Sequence, residues 1–156
     1  MIPQSNTAVV VDANVLISLC SNEPTFATAA NALSHYAIQG CVFYAPSVIV
    51  SEVLYVLCVK LQSGVLSAKA YDAAVDDFQD QMKAVSAPPQ GETALIRRAK
   101  EIQVGYGCSH SADCLYIALA EELSKSGSAE FLTFDKGAVN HVLRHAPAVN
   151  VNLLPV

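Results

Sequence analysis

Hydrophobic positions along the chain switch repeatedly between two patterns, short unbroken runs and stripes with a period near 3.6. Residues 7–11, TAVVV, form an apolar run of the kind a strand covered on both faces requires. Residues 25–39 take a helical period, with Phe26, Ala29, Ala30, Leu33 and Ala37 on one stripe and Gly40 as the stop. Residues 41–45 are a second β-rich run. Pro46-Ser47 then opens a helix over 48–62, and Gly64 ends it. A more polar helix is predicted over 67–85, with Ser67 at its N-cap and Tyr71, Ala74, Val75, Phe78 and Met82 on its apolar side. After the turn cluster APPQG at 87–91, a helix is predicted over 93–104 and a strongly apolar one over 111–125, with Ser109 or Ser111 placed to cap the latter. A strand over 131–134, a helix over 136–144 and a last strand over 149–153 complete the chain.

Strand and helix signals therefore alternate, which predicts an α/β fold on a parallel sheet. The most linker-like point is Pro88, but neither half carries enough apolar sequence for its own core. Residues 1–156 are read as one domain.

Composition narrows the class. Apolar residues make up 53% and charged residues 15%, which argues against disorder. The longest apolar candidate, 42–61, is interrupted by Pro46, Ser47, Ser51, Glu52 and Lys60, so no membrane span is expected. The start, MIPQSNT, lacks a basic segment followed by an apolar one, and a cytoplasmic location is expected. Five cysteines without a C-x-x-C pair read as small hydrophobes in a reducing compartment rather than as zinc or disulfide partners. The net charge of −5 by itself disfavours a nucleic-acid partner.

The acids alter that picture. Most lie on polar faces or in loops and read as solvated. Four do not: Asp12 ends the first strand, Glu52 lies inside VIVSEVLYVLCV, Asp113 inside SADCLYIALA, and Asp135 follows FLTF directly. A carboxylate in such surroundings is costly without a counter-charge, and the apolar segments supply no base to neutralise four of them. In open parallel sheets the site forms beyond the carboxyl ends of strands, where Asp12 and Asp135 fall. Four converging carboxylates are a hard, all-oxygen ligand set suited to Mg²⁺ or Mn²⁺. Local alternatives exist for some of them: Asp12 and Asn14 are both suited to cap a following helix, and Asp113 to stabilise a helix start.

With these segments in order, VVVDANVLIS, APSVIVSEVLYVL, SHSADCLYIALAEEL and FLTFDKG, the sequence resembles the PIN-domain ribonucleases, most of all the VapC toxins of toxin–antitoxin pairs. The resemblance runs over nearly the whole chain. It implies a PIN-like three-layer α/β/α sandwich with a central parallel sheet of four to five strands. It also implies Mg²⁺- or Mn²⁺-dependent hydrolysis of RNA phosphodiester bonds, with one or two ions held by Asp12, Glu52, Asp113 and Asp135. Asn14 and Thr133 match the polar positions that orient the acids. An antitoxin partner and a homodimer follow from the same likeness, with residues 54–61 or the helix carrying Tyr71 as candidate contact surfaces. Two bound ions would offset most of the −5.

Lys136 and His110 are the expected substrate contacts. The one basic cluster, Arg97, Arg98 and Lys100, reads as a solvated helix face. His141 and His145 share a helical spacing but lack the H-E-x-x-H pattern, and no metal role is expected of them. Tyr55 and Tyr116, one turn beyond Glu52 and Asp113, read as rims of the core. Alternative readings are a PIN nuclease of RNA processing outside toxin–antitoxin systems, a HAD-like phosphatase and a non-catalytic binding module. The phosphatase needs a second acid where Asn14 stands.

Overall fold

The strands of the protein, whose computed structural model describes residues 7–109 and 111–156, are β1 (Ala8–Val11), β2 (Val42–Tyr44), β3 (Val85–Ser86), β4 (Ala129–Thr133) and β5 (Asn150–Leu153). They form one sheet in the order β3-β2-β1-β4-β5, and every neighbouring pair is parallel. Val9, Val10 and Val11 in the central strand and Phe131 and Leu132 in β4 have essentially no exposed surface. Coverage of both faces is why these stretches read as unbroken apolar runs.

The helices are α1 (Ala13–Cys20), α2 (Phe26–Ile38), α3 (Val48–Gln62), α4 (Ala68–Met82), α5 (Ile96–Gly105), α6 (Asp113–Ser124) and α7 (Lys136–His145). α1 packs against α2, α3 and α4, while α6 lies on β1 and β4 and carries α5 and α7. The result is the α/β/α layering that the family resemblance implies. Among the described residues no helix is long and apolar enough to cross a membrane.

Local signals account for several boundaries. Gly40 and Gly64 follow α2 and α3 with φ of 75° and 76°, the left-handed geometry a glycine stop provides. The Ser67 hydroxyl accepts the Ala70 N–H at 3.1 Å as the N-cap of α4.

Other boundaries depart from the sequence reading. α1 is buried on nearly every side, through Ala13, Val15, Leu16, Ile17, Ser18 and Cys20, so no polar face marks it as a separate helix. Val85, read as helical, leaves α4 to pair with Phe43 and forms the edge strand β3. A 3₁₀ turn over Glu92–Leu95 precedes α5. The N-cap of α6 is Ala112 rather than either serine, although the Ser111 hydroxyl accepts the Asp113 N–H at 3.1 Å. Glu130, expected in solvent, lies in β4 and receives the Tyr36 hydroxyl. Cys20 and Cys114 are buried as small hydrophobes, but Cys58 and Cys108 are exposed.

From β1 the chain moves outward to β2 and β3, then crosses back to β4 and β5 on the other side. The order reverses between β1 and β4, and a crevice opens beyond their carboxyl ends at such a point. Asp12 and Asp135 are the residues just past it.

Candidate active site

Asp12 leaves β1 in an extended conformation and becomes the N-cap of α1. Its Oδ1 accepts the Ala13 N–H at 2.7 Å, and its Oδ2 accepts the Thr133 hydroxyl at 2.7 Å and the Asn14 amide at 3.1 Å. Thr133, fully buried at the end of β4, also accepts the Asp135 N–H at 2.9 Å. Asn14 is therefore not a cap. Its Nδ2 reaches Asp12 and Thr133, and its Oδ1 accepts the Phe134 N–H at 3.2 Å, so it ties the ends of β1 and β4 together.

Asp135 caps α7 by accepting the Gly137 N–H at 2.7 Å. Glu52 points from the middle of α3, and its Oε2 accepts the Tyr116 hydroxyl at 2.6 Å. Asp113 opens α6 with its Oδ2 3.8 Å from His141 Nε2. Asp12, Glu52, Asp113 and Asp135 all line one open cleft of about 280 Å³, with Asn14 and Tyr55 among its other walls.

The depth of the four differs from the sequence expectation. Asp12 alone is buried, Glu52 and Asp113 are half-buried, and Asp135 is exposed at the mouth. α3 presents much of its apolar sequence to solvent, so Glu52 is less enclosed than its neighbours in the chain suggest. Burial still governs the charges. It pushes the Asp12 carboxyl up to about 7; the Thr133 hydroxyl opposes this, and the charges of Asp113 and Glu52 add to it. Burial likewise raises Asp113, with Asp135 adding and Ser111 and His141 opposing. Burial and Asp113 raise Glu52 against the Tyr116 hydrogen bond.

As they stand the acids form no closed cage, and among the described residues no three His, Cys, Asp or Glu side chains do. The donor chemistry nevertheless fits a hard divalent cation. The cleft offers four carboxylates, no thiol, and no Lys or Arg paired with any of them among the described residues. A cation would favour the ionised forms that burial and mutual repulsion disfavour.

Sequence reasoning missed Tyr116 as a partner of Glu52. Its ring is buried against Phe131, with centroids 5.9 Å apart, and only the position of α3 shows where its hydroxyl ends. It also missed His141 beside Asp113. Lys136 is exposed at the start of α7, outside the residues that line the cleft. His110 lies outside the described residues. Arg98 is not a free surface base: it pairs with Glu121 and Glu101.

No curated protein matches the sequence. Among solved structures, a chain of VapBC2 from Rickettsia felis, bound to a DNA fragment from their promoter, superposes with a TM-score of 0.64 at 11% identity, covering 96% of this chain and 100% of that one. PAE2754 from Pyrobaculum aerophilum superposes with a TM-score of 0.52 at 15% identity, covering 89% of this chain and 83% of that one. At these identities the likeness is one of fold. The sequence itself matches the PIN domain model over residues 9–142, a span that takes in all four acids of the cleft. The chain therefore belongs to the PIN domain family, nucleases that generally use divalent metal ions.

Proposed function

We propose that the protein is a Mg²⁺- or Mn²⁺-dependent endoribonuclease that hydrolyses RNA phosphodiester bonds, and that it works in the cytoplasm as a VapC-like toxin controlled by an antitoxin. The observation that carries the ribonuclease reading is the convergence of Asp12, Glu52, Asp113 and Asp135 on one cleft at the switch point of the sheet. The toxin role is supported by the superposition on a chain of the VapBC2 complex.

In this reading the four carboxylates hold one or two ions. Such an ion supplies positive charge to the phosphate oxygens and acidifies water. The chain's own groups set the geometry. Thr133 and Asn14 donate to Asp12 Oδ2 and fix that carboxylate's rotation. Tyr116 does the same for Glu52, and the Gly137 N–H for Asp135. Partners of this kind, one step behind the ligands, govern how well a metal site is formed. Asp135, at the mouth, meets the RNA backbone first.

A homodimer belongs to the same reading. α3 exposes Val50, Leu54, Tyr55 and Val59, an apolar surface suited to a second copy.

The test is RNA cleavage with Mg²⁺ or Mn²⁺, with and without EDTA, by wild type, Asp12→Asn and Asp113→Asn. EDTA and either substitution are expected to abolish cutting, with circular dichroism unchanged. Undiminished cutting by both variants overturns the assignment.

A further inference from the structure

Beside the carboxylate cleft lies a second hollow, of about 440 Å³, between the end of α5 and one face of α7. Asn140, His141, Arg144 and His145 line it from α7, and Tyr106 closes the far side. The first three stand at i, i+1 and i+4, with His145 one further, so they share one side of the helix. Ala138 and Val142 face the core.

Rings form much of the wall. Tyr106 and His141 have centroids 4.0 Å apart at 35°, and His141 and His145 are 6.5 Å apart at 29°. The arrangement is pinned from several directions. A Cβ at Gly105 would lie 2.7 Å from His145 Nδ1, so the ring's position depends on the glycine that ends α5. Arg98 Nη2 donates to the His145 carbonyl at 2.8 Å, and the Tyr106 hydroxyl accepts the Cys114 N–H at 3.0 Å.

The hollow adjoins the cleft at two points. His141 approaches Asp113, and the Gly137 N–H, on the hollow's edge, is held by Asp135. Arg144 is exposed and forms no ion pair among the described residues, in a chain of net charge −5. A rigid ring-lined wall, one guanidinium and one side-chain amide are the groups that stack a base, hold a phosphate and read a base edge.

We propose that this hollow is a nucleotide subsite, which seats the base and phosphate of a single-stranded RNA residue next to the bond being cut. The rings of Tyr106, His141 and His145 face the base, Asn140 its edge, and Arg144 the phosphate. The proposal deepens the ribonuclease reading and rests on it for the identity of the ligand.

The experiment measures binding of a short fluorescein-labelled single-stranded RNA to the Asp12→Asn protein in Mg²⁺, across a salt series. Arg144→Gln added to it is expected to weaken binding about tenfold and to lower the log–log salt slope by about 0.7, the value for one lost phosphate contact on a single strand. Asn140→Ala is expected to weaken binding several-fold with the slope unchanged, and Lys69→Gln, on the exposed side of α4, to change neither. Binding by the Arg144 and Asn140 variants as tight as that of the Asp12→Asn parent, or no RNA binding by the Asp12→Asn protein, overturns the subsite. Failure of wild type to cut RNA while the Asp12→Asn protein binds it through Arg144 overturns the nuclease reading and leaves the subsite standing.

Discussion

Asp12 sits where two demands conflict. Its carboxylate accepts three hydrogen bonds, which favour charge, yet burial and the neighbouring acids outweigh them and push it up to about 7. The folded state thus binds a proton that the unfolded chain, with its carboxyl near 3.8, has already released in the interval between those values. Stability contributed by protonated Asp12 is complete below about pH 4 and is lost as pH rises toward 7. With the metal-free protein, thermal unfolding is expected at higher temperature at pH 5 than at pH 8. The difference between these two pH values is at most about 3 kcal/mol from the linkage of one group. Asp12→Asn should remove most of it, and Mg²⁺ or Mn²⁺ should restore stability at pH 8. A wild-type melting temperature that rises from pH 5 to pH 8 without metal would contradict this account of the cleft.

At the scale of elements, the cleft depends on helices that meet only in the folded chain. Glu52 belongs to α3 and Tyr116 to α6, and their hydrogen bond is a direct link between the two helix layers at the site. Tyr116→Phe keeps the ring against Phe131 and deletes the hydroxyl alone. Cleavage is expected to fall about 10- to 100-fold, the range seen when a ligand's hydrogen-bond partner is lost. The melting temperature should move little, because the ring's packing is preserved. Cleavage at the wild-type rate would show that Glu52 needs no such positioning. The strands show the same division. β1 and β4 are plain in the sequence because both their faces are covered, whereas β3 is two residues at the sheet edge and reads as the tail of a helix.

For the whole molecule, the surface that bears on assembly is α3. Ile49, Val53 and Leu57 face the core and are fully buried, yet Val50, Leu54 and Val59 on the same helix remain 41%, 38% and 46% exposed. Exposed apolar groups on one helix can serve as a contact surface for a second copy. On the homodimer reading, light scattering after gel filtration should give twice the chain mass for wild type and a single chain mass for Leu54→Asp. A wild-type monomer at micromolar concentration, or a Leu54→Asp dimer, would move the interface elsewhere.

The sequence by itself carried the alternation of elements, the central apolar strands, the glycine stops and the four acids set among hydrophobic neighbours. Each of these is a local departure from solvent-facing composition and needs no knowledge of partners. It could not state how deep each acid lies, because exposure depends on what covers a helix: α3 looks enclosed in the chain and is half open in the fold. Nor could it show that Asn14 and Thr133, 119 residues apart, share hydrogen bonds with Asp12, that Tyr116 reaches Glu52, or that the polar side of α7 faces Tyr106. Those contacts exist because β1 and β4 are neighbours and α6 lies across them, and sheet order is a property of the folded chain as a whole.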